Sequence, residues 1–175
     1  MRLLVFAISL FLFTPHTELK KVRSAYFNAK CADSMRYFET AANECTYDET
    51  ICSAYLGTCK AMRANYASGM FEKLSLFNEG KSLIEKSVAT NPLNPEIRFL
   101  RYCIQANVPS ILFYSSEMEE DFEVIKSNYS ISSEDDEFWL KAFQVMIDSE
   151  RCSDAQKNWL SSKRKEITHG RSNTR

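Results

Sequence analysis

From Leu19 to Leu160 the large apolar residues recur at steps of three and four, as in Ile51, Tyr55, Cys59, Met62 and Tyr66. Such spacing lays one apolar stripe along an α-helix, whose turn is 3.6 residues. Eight stripes of this kind follow one another, opening at Leu19, Met35, Ile51, Leu74, Ile97, Met118, Trp139 and Ala155. No stretch alternates apolar and polar residues between turn signals, as a half-buried strand would. The 175 residues contain only four Gly and four Pro, too few for a turn-rich sheet. The chain is therefore expected to be all-α. Short connections make successive helices antiparallel neighbours, stacked as hairpins in a short solenoid or bundle.

The joints between helices are also written in the sequence. In "SVATNPLNPEIRFLRY", Ser87 to Tyr102, Pro92 stops one helix and keeps Asn91 out of helical conformation. Asn94 is a good N-cap, and Pro95 takes the first helical position, where a missing N–H costs nothing. Ser116 with Glu119, Ser133 with Asp136 and Ser153 with Gln156 have the spacing of capping boxes or their near relatives.

Part of this stretch, "GKSLIEKSVATNPLNPE", resembles the second half of a tetratricopeptide repeat and its hand-over to the next. Gly80 and Ser87 match the family's small residues, Ile84 its large apolar one and Pro92 its closing proline. The match covers about one and a half repeats. The first-helix signature is missing: "ANYASGMF" stands where it would fall, and Gly57 and Tyr66 read as parts of a longer helix. The wider string "LSLFNEGKSLIEKSV…NPEIRFLRYCIQANVPSILFY" also resembles a group of uncharacterised exported helical proteins of Bacteroidota-type bacteria. The resemblance implies a TPR-like stack and an exported location, and no known activity.

At the amino end, Arg2 precedes the apolar run "LLVFAISLFLF", Leu3 to Phe13, which "TPHTE" breaks. A positive start, a short apolar stretch and a breaker are the pattern of a secretory signal peptide. The run is shorter than the roughly 20 residues a transmembrane helix needs. The expected organisation is a signal peptide at 1–17, one helical domain at 18–167, and a disordered basic tail at 168–175. Export would place the protein in a bacterial periplasm or outside the cell, with no stable membrane span after cleavage.

Six cysteines follow the leader: Cys31, Cys45, Cys52, Cys59, Cys103 and Cys152. An even count in an exported chain suggests one or two disulfides. Cys45, Cys59 and Cys103 fall at core-facing positions, so small buried hydrophobes are the competing reading. Cys52 and Cys59 lie seven apart on one helix, roughly 10.5 Å along its axis, and cannot bond to each other. No C-x-x-C pair points to zinc or to thioredoxin-like redox chemistry.

Net charge is −1, and loss of Arg2 with the leader makes the chain one unit more acidic. General nucleic-acid affinity needs a basic footprint and is not expected. The charge is uneven: Glu117 to Glu137 holds nine acidic residues against Lys126. His16 and His169 are the only histidines, both near the ends, so a serine or cysteine nucleophile lacks a histidine base. No phosphate loop, H-E-x-x-H or calcium loop is present. "EDDE", Glu134 to Glu137, suits the start of a helix better than a metal ion. No cofactor or metal site is expected.

One basic cluster has two readings. Arg98 and Arg101 lie three apart on one helix face, after Lys73 and Lys81 and before the acidic Glu119, Glu120 and Asp121. They either join successive hairpins through internal ion pairs, or form a basic groove for an acidic peptide end, with Tyr102 and Tyr66 as aromatic contacts. The groove residues would be Lys73, Lys81, Arg98, Arg101 and Tyr102. The expected function is a non-catalytic interaction module for a protein or peptide partner. The alternatives are an accessory subunit of an envelope assembly, marked by exposed Phe and Tyr, or an enzyme, marked by a deep pocket with converging ionisable groups.

Overall fold

The computed structural model describes residues 15–129 and 135–172. The expected leader lies outside them up to residue 14, and so does Ser133 with its capping box. Within the described residues the protein is all-α. Eight helices run in chain order: α1 Pro15–Asn28, α2 Ala32–Asn43, α3 Glu49–Arg63, α4 Met70–Thr90, α5 Pro95–Asn107, α6 Met118–Asn128, α7 Asp136–Ile147 and α8 Asp154–Ser172. No strand occurs among the described residues.

Local chemistry sets the helix starts. The Asp48 carboxylate accepts from Ile51 N at 2.9 Å to open α3. Asn94 Oδ1 accepts from Glu96 N and Ile97 N, with Pro95 in the first turn of α5. Ser153 and Gln156 form a reciprocal capping box at α8. Ser116 is not a cap: its hydroxyl donates to Glu117, which itself precedes α6. The third helix also stops earlier than its apolar stripe suggested. After Arg63 the chain tightens into a 3-10 turn, Ala64–Tyr66, and Tyr66 is exposed.

Helices pack against their chain neighbours: α1 on α2, α2 on α3, α3 on α4, α5 on α6, and α7 on α8. The α5 helix also touches α3, α4 and α7, and every residue from Glu96 to Gln105 is buried. Its apolar stripe reads as one-sided, yet its charged face is buried as well, because that face meets carboxylates.

The α3–α4 pair approaches backbone to backbone at two glycines. A Cβ on Gly80 would lie 2.5 Å from the Gly57 carbonyl oxygen and 2.6 Å from Ala61 N. At such distances any side chain would force the two backbones apart. A main core spans α1 to α8, and a smaller cluster of Ala61, Phe77, Ile84, Ile104, Val108 and Tyr114 lies apart from it.

One disulfide, Cys45–Cys52, joins the end of α2 to the first turn of α3, with Cα atoms 5.6 Å apart. Cys59, Cys103 and Cys152 are buried free thiols, and Cys31 is an exposed one. The buried-hydrophobe reading thus holds for Cys59 and Cys103, whereas Cys45, expected to face the core, is half-buried and bonded to Cys52. The carboxyl end needs a correction. The last helix runs to Ser172, so residues 168–172 are helical where a disordered tail was expected. Ile167 is buried, Lys163 pairs with Glu166, and Thr168 Oγ1 donates to the Arg164 carbonyl, which together carry the helix onward.

Candidate functional site

The five residues of the expected basic groove do not share a surface. Arg98 and Arg101 are each only 4% exposed. Arg98 donates from Nη1 to Glu120 Oε1 and Asp121 Oδ1, and from Nε to the Pro92 carbonyl. Arg101 grips Asp121 with two bonds, Nε to Oδ2 at 2.8 Å and Nη2 to Oδ1 at 2.6 Å. Its Nη1 reaches Glu85 Oε2 at 2.9 Å. Asp121 is fully buried between the two guanidiniums. Burial holds its carboxyl above the usual value, and the arginines pull against that rise. The hairpin-joining reading is thus the one the geometry supports for this pair: Arg101 spends all three of its nitrogens on carboxylates, and Arg98 spends Nε and Nη1 on a carbonyl and two carboxylates.

The other three residues go elsewhere. Tyr102 is buried, and its hydroxyl makes no hydrogen bond among the described residues. Lys81 lies with its ammonium 4.5 Å from the centre of the Tyr114 ring, a cation–π contact. Lys73 alone is exposed, one turn into α4.

A second buried ionic cluster has no local sequence signal. Arg23 of α1 donates to both oxygens of Glu96, Nε to Oε1 at 2.8 Å and Nη2 to Oε2 at 2.5 Å. It also donates to Asp135 and stacks on the Phe138 ring at 4.5 Å. The Tyr55 hydroxyl adds a third bond to Glu96. The cluster ties α1, α3 and α5 to the start of α7. Asp135 of the acidic run thus serves structure.

The feature open to solvent is apolar. A cavity of about 550 Å³ lies between α3, α4, α5 and the segment after α5. Phe77, Met62, Ile104 and Val108 line it, and Lys73 is the only charged side chain in its wall among the described residues. Met70, Leu74 and Ile111 border it while exposed to water, Met70 and Ile111 each at 78%. Their chain neighbours Phe71 and Phe113 are 92% and 88% exposed.

Phe113 has φ 47°, the left-handed region, which costs a bulky residue about 1 kcal/mol or more. The turn carrying it is latched on both sides. Tyr114 donates to Glu85 Oε1 at 2.6 Å, and Arg151 donates to the Val108 carbonyl at 2.9 Å. Sequence reading missed this site. Leu74 counted as a core position, and Ile111 and Phe113 belong to no helical stripe.

The cavity offers no evident nucleophile. Cys103 sits in its wall, but burial pushes that thiol up to about 12. No group of three or more metal-binding side chains occurs among the described residues. No described helix is long and apolar enough to cross a membrane. No known protein family matches this chain, and no curated protein or solved structure matches it either.

Proposed function

We propose that this chain is an exported, non-catalytic interaction module, a short TPR-like stack of helical hairpins that docks a protein or peptide partner. The docking surface is the apolar rim of the α4–α5 cavity, in place of the basic groove. The observation that carries this is Phe113, which combines a left-handed backbone with a ring 88% exposed to water. Both features cost free energy in the isolated chain, and a partner covering the ring would offset them. Met70, Phe71 and Ile111 add to the exposed apolar surface, as at sites of association. Support for export comes from the Leu3–Phe13 run and from the Cys45–Cys52 bond, since disulfides persist in oxidising compartments.

Two baits test it: the full chain, and the full chain carrying Phe71→Ser and Phe113→Ser, with helicity checked by circular dichroism. Each is cross-linked in envelope and medium fractions of the host. A partner caught by the first and lost by the second is the expected result. A partner kept by both, or none with either folded bait, would sink the reading. The same exposed aromatics favour a second reading, permanent docking in an envelope assembly. A partner that co-purifies at fixed stoichiometry and does not exchange would select it.

A further inference from the structure

The cavity beneath the rim has a chemistry of its own. Its volume, about 550 Å³, falls within the range of small-molecule sites. Its lining is largely hydrocarbon and aromatic: Phe77 from α4, Ile104 from α5, Val108 just after it, and Met62 from α3. Asn65, Asn107 and Tyr26 bring polar groups to the wall. Asn107 Nδ2 donates to the Cys103 carbonyl at 2.8 Å, and the Tyr26 hydroxyl meets the Cys103 thiol. Lys73 is different. It sits in the exposed first turns of α4, and its ammonium pairs with no carboxylate among the described residues. Nearby Lys60 and Arg63 pair with Glu79 and Glu39.

An apolar chain would gain dispersion contacts along such walls, where water gains few hydrogen bonds. A single cation beside such a space favours an anion on the ligand and disfavours a cation. The geometry points to a site for a single-chain amphiphile with an anionic head: the chain lies along Phe77, Ile104 and Val108, and the head pairs with Lys73 Nζ. This goes beyond the docking of a protein partner: the two surfaces share Met70 and Ile111, but Phe71 and Phe113, the residues changed in the partner test, are not part of the cavity wall.

Calorimetric titration of the full chain, below the micelle concentration of each probe, tests the site. The probes are dodecanoate, dodecyl phosphate, dodecanol and dodecyltrimethylammonium. One saturable site for an anionic probe is expected, with the neutral and cationic probes weaker by up to about fivefold, the upper end of what one exposed ion pair supplies. Tighter binding of dodecanoate marks a fatty acid as the source, and tighter binding of dodecyl phosphate marks a phosphate-headed lipid.

Lys73→Glu should lose the preference for anions while dodecanol binding stays. Leu74→Trp at the mouth and Ile104→Trp at the wall should each weaken all four probes. Leu74 is partly exposed, so its replacement keeps the test alive if Ile104→Trp disturbs folding. Equal binding of all probes, no saturable anion site, or an unchanged preference in Lys73→Glu would overturn the proposal. Dodecanoate binding retained by the Phe71→Ser, Phe113→Ser chain would separate this site from the partner surface.

Discussion

Glu96 is a buried carboxylate that receives three hydrogen bonds, two from Arg23 and one from Tyr55. Removing one partner of a buried pair strands the other charge away from water, typically at about 3–5 kcal/mol. Glu96→Ala should therefore lower the urea midpoint steeply, with Arg23 still holding Asp135 and keeping the loss near the lower end. Glu123→Ala, which breaks an exposed pair with Lys126, should cost less than about 1 kcal/mol in the same measurement. The sequence could not announce this cluster, because Arg23 and Glu96 lie 73 positions apart. It did announce that Arg98 and Arg101 share a helix face. Which way that face turns was decided by Asp121, some 20 residues on. Charge counting treats an arginine as solvent-facing, so the basic groove stood beside the internal pairs as the functional alternative.

At the scale of helices, local chemistry was the legible part. Asn94 with Pro95, and Ser153 with Gln156, sit where their side chains complete a first turn, so these starts could be read directly. The small residue at Gly80 was legible too, although its contact was not: it meets Gly57 on α3 across a gap too narrow for a methyl group. Gly80→Ala should push the two helices apart and cost about 1–3 kcal/mol. In contrast, a Cβ on Gly170 meets nothing within 4 Å, and Ala there should be neutral or stabilise by up to about 1 kcal/mol. Thermal melts of the two variants check the pair. Melting temperatures that move equally would show that the α3–α4 approach is looser than described. The rim escaped sequence reading because it is built from a helix start and an irregular turn, where periodicity carries no information.

The whole molecule responds to acid through its surface carboxylates. Hydrogen bonds hold Glu18 below the ordinary carboxylate value of 4.5 through Thr46, Glu79 through Lys60 and Ser75, and Glu117 through Ser116 and Gln105. A carboxyl held low stabilises the fold above its unfolded value and loses that contribution as the pH falls through its folded one. Stability should therefore decline as the pH drops below about 4.5, and Glu79→Gln should show a smaller decline. Urea midpoints at about pH 6 and pH 3.5 give the comparison. Asp121 runs the other way, since burial holds its carboxyl high, and its titration opposes the loss.

The placing of α5 has a consequence for how the protein is made. Arg23 and Tyr55 await a carboxylate at residue 96, while Arg98 and Arg101 await one at residue 121. A nascent chain shorter than the first of these presents an arginine poised for an absent partner, and one shorter than the second presents two more. The carboxylate that completes α1 and α3 thus lies on α5, and the one that completes α5 lies on α6, so a chain cut short of either helix leaves buried donors without their partner.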